Sequence, residues 1–172
     1  DDPMQREALD HLFRAYELRS DWTSHFELCL QTATATWDPS ERMELTRRAS
    51  EQALQRLENL GLAIRAWESL WRSGDGDDDA AHELAQLYRR AGRWSDLAAF
   101  LEKHASETTD EGNRLLELRQ LAELRASALG DALGARTVLE AIWGLRQGDP
   151  LTAVQLARLA ARQHDWTRVD AL

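Results

Sequence analysis

The sequence contains very little cysteine or proline, and the small number of each residue excludes some kinds of structure. Cys29 is the only cysteine, so neither an internal disulfide nor a cysteine cluster for zinc can form. Three prolines and a charged fraction of 30% are typical of a folded, helix-rich chain. No apolar run approaches the roughly 20 residues that a membrane-spanning helix needs. We therefore expect no membrane insertion.

Positive charge is also scarce. The chain has 21 basic against 30 acidic residues, which gives a formal net charge of −9. Binding to phosphate backbones requires a basic surface, so we expect no nucleic-acid partner. Lys103 is the only lysine and every other basic residue is an arginine, a bias typical of GC-rich bacterial genomes. We therefore expect a cytoplasmic bacterial protein.

The chain does contain an internal repeat with a period of 72 residues. The residues that recur at this spacing are Trp22, Trp94 and Trp166; Leu12, Leu84 and Leu156; Trp71 and Trp143; and Gly76 and Gly148. Repeats at tens of residues indicate stacked supersecondary units. We predict a single repeat domain over residues 1–172, with Leu12, Leu84 and Leu156 buried in equivalent environments and the repeated tryptophans packed in the core.

Apolar residues at three- and four-residue spacing predict helices throughout, and no stretch alternates with the period of two that strands require. Cap signals predict where the helices begin: Pro39 and Pro150 each follow an aspartate, and Gly92 suits a turn between two helices. The pattern predicts nine full helices and a partial tenth that begins near Trp166. The short connections make successive helices antiparallel neighbours.

The repeating unit resembles the tetratricopeptide repeat, a helix-turn-helix of about 34 residues. Leu84-Ala85, Tyr88, Gly92, Trp94 and Leu101 occupy the positions where that repeat has its small-residue contact, aromatic, turn and second-helix anchors, with Ala85 replacing the usual glycine. The resemblance implies an all-α, right-handed α-solenoid of about five stacked antiparallel helix pairs, the last incomplete. It is strongest to the long repeat arrays of large regulatory and scaffold proteins in GC-rich bacteria.

This resemblance implies a non-catalytic protein–protein interaction or scaffolding module that binds a peptide or partner domain on its curved surface. The alternative is a regulatory or substrate-recruiting segment of a larger bacterial enzyme, such as a kinase or a protease. We find no catalytic, cofactor-binding or metal-binding set, and expect neither enzymatic activity nor a cofactor. Because Val169 and Leu172 lack partners, we predict a fragment of a longer array that can self-associate through its C-terminal end.

In tetratricopeptide-type stacks the first helix of each pair lines the concave face, and this placement selects candidate partner-binding residues. They are Arg14, Gln86, Arg89 and Arg158, with Arg47 and Arg119 as weaker candidates. Arginines on one face of an acidic chain would hold carboxylates bidentately, so the expected partner is an acidic or C-terminal peptide. The alternative is that these residues pair as solvated surface charges with nearby acids such as Glu17 and Glu83.

Three other groups of residues have both a functional and a structural interpretation. His25 and Cys29 share a helix face, but two residues make no metal site, so we expect a buried thiol beside a half-buried imidazole. The acidic run Asp75–Asp79 opens like a calcium loop and lacks its later ligands, which favours helix capping. Trp37 and Trp67 lie outside the tryptophan repeat and are candidates for surface binding.

Overall fold

The computed structural model describes residues 3–162, and these form nine α-helices without any strand. The helices are α1 (Pro3–Leu18), α2 (Trp22–Ala35), α3 (Pro39–Gln55), α4 (Leu60–Ser73), α5 (Asp78–Arg90), α6 (Trp94–Glu107), α7 (Glu111–Ser127), α8 (Ala132–Leu145) and α9 (Pro150–Arg162). The all-helical prediction is confirmed for this range. None of these nine helices is long and apolar enough to cross a bilayer. The predicted tenth helix, with Trp166, Val169 and Leu172, lies outside the described residues.

The bounds of the helices recur at the 72-residue spacing of the sequence repeat. α2, α3 and α4 begin and end, and α5 begins, 72 residues before α6, α7, α8 and α9, respectively. The chain therefore contains two copies of a four-helix segment with the same helix starts and equal connections. Residue contacts divide it into two compact units, Asp1–Ala91 and Gly92–Leu172, which are described separately below.

Side-chain caps fix most of the helix starts. At seven starts an oxygen of the residue before the helix accepts a hydrogen bond from a backbone amide in the first turn. These caps are Asp21, Asp38, Asn59, Asp77, Asp110, Asp131 and Asp149. Such a bond satisfies an amide that has no partner inside the helix and contributes about 1 kcal/mol. The start of α6 differs, because Arg93 precedes it and makes no side-chain cap.

The connections also keep their backbone conformation between copies, even where the residue changes. Gly92 and Gly130 have positive φ angles of 65° and 64°. The residues 72 positions earlier, Ser20 and Glu58, are also left-handed, with φ of 54° and 49°. This conformation costs a residue with a side chain roughly 1 kcal/mol or more, a cost that glycine does not carry.

In the first unit, each helix packs on its neighbours in the chain, and α2 also contacts α4. Arg42, at the start of α3, donates a 3.0 Å hydrogen bond to the carbonyl of Ala33 at the end of α2. Gln52, near the end of α3, lies 3.4 Å from the imidazole of His25 near the start of α2. The start of α3 therefore lies beside the end of α2, and the end of α3 beside the start of α2. The two helices run antiparallel, as predicted.

The second unit follows the same pattern, with α6 on α7, α7 on α8 and α8 on α9. His104 pairs with Glu117 at 2.5 Å, and Glu102 pairs with Arg125 at 2.8 Å. The earlier residue of α6 meets the later residue of α7, so this pair is antiparallel as well. Buried leucine, valine and isoleucine side chains of α7 and α8, such as Leu121 and Ile142, form its core.

The prediction of equivalent leucine environments is wrong for the first copy. Leu84 and Leu156 are buried, whereas Leu12 is 44% exposed. Among the described helices α1 packs on α2 through Phe13 and reaches α3 through the Glu17–Arg48 ion pair, whereas α5 packs against α4. The face of α1 that carries Leu12 has no helix against it, so the same register position lacks the neighbour that buries Leu84.

The repeated tryptophans are also less buried than predicted. Trp94 is 37% exposed, and Trp22, Trp71 and Trp143 are each partly exposed. Trp22 and Trp94 are the first residues of α2 and α6, where only part of a large ring can reach a neighbouring helix. The core of each unit is therefore made mainly by aliphatic residues and alanine, with the described tryptophans of the repeat at its border.

A matched pair of leucine substitutions tests this packing. Leu84→Ala should reduce the free energy of unfolding by about 3–5 kcal/mol, because it removes a side chain from a closed site. Leu12→Ala, at the same register position, should cost less than about 1 kcal/mol. Urea unfolding followed by circular dichroism measures both. Equal losses would contradict the difference in burial.

A second substitution tests the left-handed connections. Glu58→Gly should raise the free energy of unfolding by about 0.5–1 kcal/mol, since it places glycine where the second copy has Gly130. Glu51→Gly, in the interior of α3, is the control and should lower it by about 1 kcal/mol. A destabilised Glu58→Gly chain would show that the exposed glutamate contributes more than the backbone conformation costs.

Candidate functional site

All six predicted partner-binding residues lie on odd-numbered helices. Four are in the first unit and two in the second; their helices are α1 for Arg14, α3 for Arg47, α5 for Gln86 and Arg89, α7 for Arg119 and α9 for Arg158. Several are engaged within the chain. A nitrogen of Arg47 lies 3.9 Å from the carboxylate of Glu44, and the amide nitrogen of Gln86 lies 2.6 Å from the ring of His82.

Arg119 supports a helix start. Its guanidinium donates a 3.1 Å hydrogen bond to Asp149, the cap of α9. The same carboxylate accepts bonds from the hydroxyl and the backbone amide of Thr152. These contacts, above all the Thr152 hydroxyl, lower the pKa of Asp149, because each one stabilises the ionised form. Arg119 is thus committed to the fold of the second unit.

Arg158 has a different position, at the edge of a cleft between α7 and α9 over α8. The cleft has a volume of about 590 Å³. Its lining residues are Ala122, Glu123, Ala126, Ser127, Leu139, Gln155, Arg158 and Leu159. The floor is apolar and the rim carries one charge of each sign. Of the predicted residues, Arg158 is the one that lines this cleft.

Three polar side chains of the cleft are without a partner in the part of the chain that the structure describes. Arg158 and Glu123 are exposed and form no ion pair there, and they do not pair with each other. The carbonyl oxygen of Gln155 is buried and accepts no hydrogen bond. A buried polar oxygen without a donor costs about 1–3 kcal/mol, so its position calls for an explanation.

Sequence reasoning missed Glu123 and Gln155, although helix spacing places both beside predicted residues. Glu123 is four residues after Arg119, and Gln155 is three before Arg158, so each shares a helix face with it. Comparison of the two copies also reveals the cleft. Where the second copy has Ala126 and Leu139, the first has the larger Leu54 and Trp67.

The first unit contains a smaller cleft of about 290 Å³ between α2 and α4, lined partly by Arg42. In this cleft the positively charged side chain already has partners within the chain. Arg42 pairs with Asp75 and donates hydrogen bonds to the carbonyls of Ala33 and Thr36. Its guanidinium ties the end of α2 to the segment before α5, and this assigns it a structural role.

His25 and Cys29 do form a contact, in a buried polar cluster of the first unit. The imidazole and the thiol are fully buried, with 3.5 Å between Nδ1 and Sγ, so the expected half-buried imidazole is wrong. The other ring nitrogen lies 3.4 Å from Glu17 and 3.2 Å from Arg48. In the second copy the positions of His25 and Cys29 hold Leu97 and Leu101, which marks the cluster as part of the core.

Burial sets the protonation of both groups in this cluster. It lowers the pKa of His25, and the nearby Arg48 guanidinium lowers it further. It also raises the pKa of the Cys29 thiol to about 11. The pair is therefore a neutral imidazole beside a protonated thiol. No group of three or more metal-ligating side chains is present within residues 3–162.

The remaining sequence candidates separate into one helix cap and two different tryptophans. Asp77 caps α5 by accepting a 2.8 Å bond from the amide of Ala80, while Asp75 pairs with Arg42. The capping interpretation is thereby supported. Trp37 is 78% exposed, as a surface-binding residue would be, but Trp67 is only 3% exposed and is a core residue. The surface assignment of Trp67 is wrong because α4 turns that side chain inward.

The buried imidazole predicts a pH dependence of stability. Because the folded-state pKa of His25 is lowered, the unfolded chain binds a proton first as the pH falls below about 6.5. Stability is then lost by about 1.4 kcal/mol per pH unit at most, until the folded pKa is reached. Urea unfolding between pH 7.5 and 5.5, above the range where carboxylates titrate, measures this loss.

His25→Gln should remove most of that pH dependence, whereas His82→Gln, at an exposed histidine, should keep it. The charged groups that face His25 are Glu17 and Arg48. A wild-type slope that persists in the His25→Gln chain would show that another group carries it.

Comparison with known proteins adds no family to this geometry. No protein-family model matches the chain, and no curated protein matches its sequence significantly. We therefore infer the function from the internal repeat and from the contacts within each unit, including the cleft beside Arg158.

Proposed function

We propose that this chain is a non-catalytic interaction module that binds a peptide segment of a partner protein along its odd-numbered helices. The observation that carries the proposal is the cleft between α7 and α9, with Arg158 at its rim and without an ion-pair partner among residues 3–162. Its volume of about 590 Å³ falls within the 300–1,000 Å³ typical of ligand sites. Peptides commonly bind in grooves between helices, where apolar floors supply affinity and polar rims supply specificity.

The architecture we propose is a right-handed stack of antiparallel helix pairs, of the tetratricopeptide type. Support comes from the equal helix bounds at 72 residues and from antiparallel packing of neighbours within each unit. In such a stack the odd-numbered helices would be the first members of the pairs. All six candidate residues are on those helices, which is why we place the binding face there.

The charge of the candidates favours a partner with at least one carboxylate. Guanidinium groups bind carboxylates through two parallel hydrogen bonds, and Arg158 has no carboxylate partner among the described residues. Arg119 and Arg47 are paired within their own units and contribute less to this argument. Arg14 is exposed and unpaired in the described part of α1 but lines neither of the two clefts described above.

The non-catalytic part of the proposal is supported by the state of the most reactive side chain. Cys29 is the only thiol, and a nucleophile must be both accessible and ionised. Its side chain is fully buried and its pKa is raised to about 11, so the fraction ionised near neutral pH is negligible. The adjacent His25 is fully buried as well.

Selection from a random heptapeptide library on the immobilised chain tests the proposed function. We expect enriched peptides to bind with affinities that fall as salt increases, because exposed ion pairs are screened. Arg158→Ala should weaken that binding about fivefold or more, and Arg72→Ala, at an exposed arginine of the even-numbered α4, should leave it unchanged. If no peptide is enriched over an unrelated immobilised protein, the proposed function is wrong.

A further inference from the structure

We propose that the α7–α9 cleft recognises an extended peptide triplet in which an aliphatic residue lies between a basic and an acidic one. This inference rests on the proposed function and specifies the peptide that the cleft takes. It follows from three separate features of the cleft: its floor, its rim and the buried oxygen of Gln155. Each feature selects one part of the ligand.

The floor selects an aliphatic side chain. Ala122, Leu139 and Leu159 are nearly fully buried and present only carbon to the cleft, together with the partly exposed Ala126. In the first copy Leu54 and Trp67 occupy the positions of Ala126 and Leu139. At these two positions the second copy therefore has smaller side chains than the first copy, and the space that the larger side chains fill in the first copy is left open. A ligand side chain of about the size of leucine fills this space.

The rim selects the two charges. Glu123 lies on the α7 wall and Arg158 on the α9 wall, both exposed, and they form no ion pair with each other. A ligand that carries one charge of each sign can pair with both. In an extended peptide, neighbouring side chains point to opposite faces. When the aliphatic side chain enters the floor, the residues before and after it lie above the rim, and long flexible charged side chains at these positions can bend sideways to the two walls.

Gln155 selects the backbone of the ligand. Gln155 lines the cleft, and its carbonyl oxygen is buried and accepts no hydrogen bond within the described residues. A rotation of this side chain toward the ligand would let a peptide N–H donate to the oxygen and remove the cost of leaving it unsatisfied. An apolar small molecule would leave this oxygen without a donor, and this favours a peptide backbone.

Glu123 changes the expected partner from a uniformly acidic peptide to one of mixed charge. A second carboxylate placed beside Glu123 would be repelled, since like charges at short distance are unfavourable. The equivalent residues of the first copy are Glu51 and Gln86. The first copy therefore has the negative charge but lacks the positive one, and only the second copy has both charges at these positions.

The probe is a capped heptapeptide with the sequence glycine-glycine-lysine-leucine-glutamate-glycine-glycine. Titration of the full chain, followed by the methyl NMR signals of Leu139 and Leu159, reports both the affinity and the site. Replacing the peptide's lysine or glutamate with glutamine should weaken binding about two- to fivefold each, as for exposed ion pairs. Replacing its leucine with alanine should weaken binding about tenfold or more.

Variants of the chain test the same three features. Ala126→Leu, which copies Leu54 into the second unit, should fill the floor and weaken binding at least tenfold while the chain stays folded. Gln155→Met should weaken binding and leave the melting temperature unchanged or higher, because it removes an unsatisfied buried oxygen. A purely structural role for Gln155 would instead lower the melting temperature. Glu123→Gln should weaken binding, and its matched control Glu51→Gln should not.

The inference and the proposed function fail in different ways. If library peptides bind and require Arg158 but not Glu123, or are uniformly acidic, the inference is wrong and the proposed function stands. If neither library peptides nor the probe bind, both are wrong. If uncapped leucine shifts the Leu139 and Leu159 methyl signals as strongly as the heptapeptide does, the cleft is a site for a small zwitterion and the peptide inference is overturned.

Discussion

Hydrogen bonds from a side-chain oxygen to a first-turn amide determine where seven of the described helices begin. In an α-helix each residue turns the chain by about 100°, so the first residue decides which side chains face the core and which face a neighbouring cleft. Asp110 and Asp149 in this way set the register of α7 and α9. The alignment of Glu123 with one wall and Arg158 with the other depends on those two caps.

The two copies have the same order and spacing of helices but bury different side chains. The first copy buries the polar pair His25 and Cys29 where the second has Leu97 and Leu101. The second copy, in turn, leaves a cleft at Ala126, where the first has Leu54. Replacing buried polar groups with apolar residues of similar size is often neutral or stabilising, so a core of this kind can vary while the helices stay in place.

Helix type, number and bounds could be predicted from the sequence because their signals are local: Pro39, Pro150 and the aspartates before them act within one turn. Burial could not, because it depends on neighbours. Leu12 shares a register position with Leu84 but lacks the helix that covers it, and Trp67 falls outside the tryptophan repeat yet occupies a core position shared with Leu139.

Of the residues of the candidate site, Arg158 could be predicted from its position in the repeat. The cleft beside it arises from small residues on helices that are distant in sequence, and only a comparison of the two copies points to it.

Equal connections in the two copies restrict how the length of this chain can change. The segments between α2 and α3 and between α6 and α7 have the same number of residues, as do the later pairs. The copies have thus diverged by substitution, without a net insertion or deletion between α2 and the end of α9. One residue added inside α7 would rotate the rest of that helix away from α9. A tandem duplication or deletion of one 72-residue block would instead keep every helix start in register, so the natural step in length for a chain of this kind is a whole period.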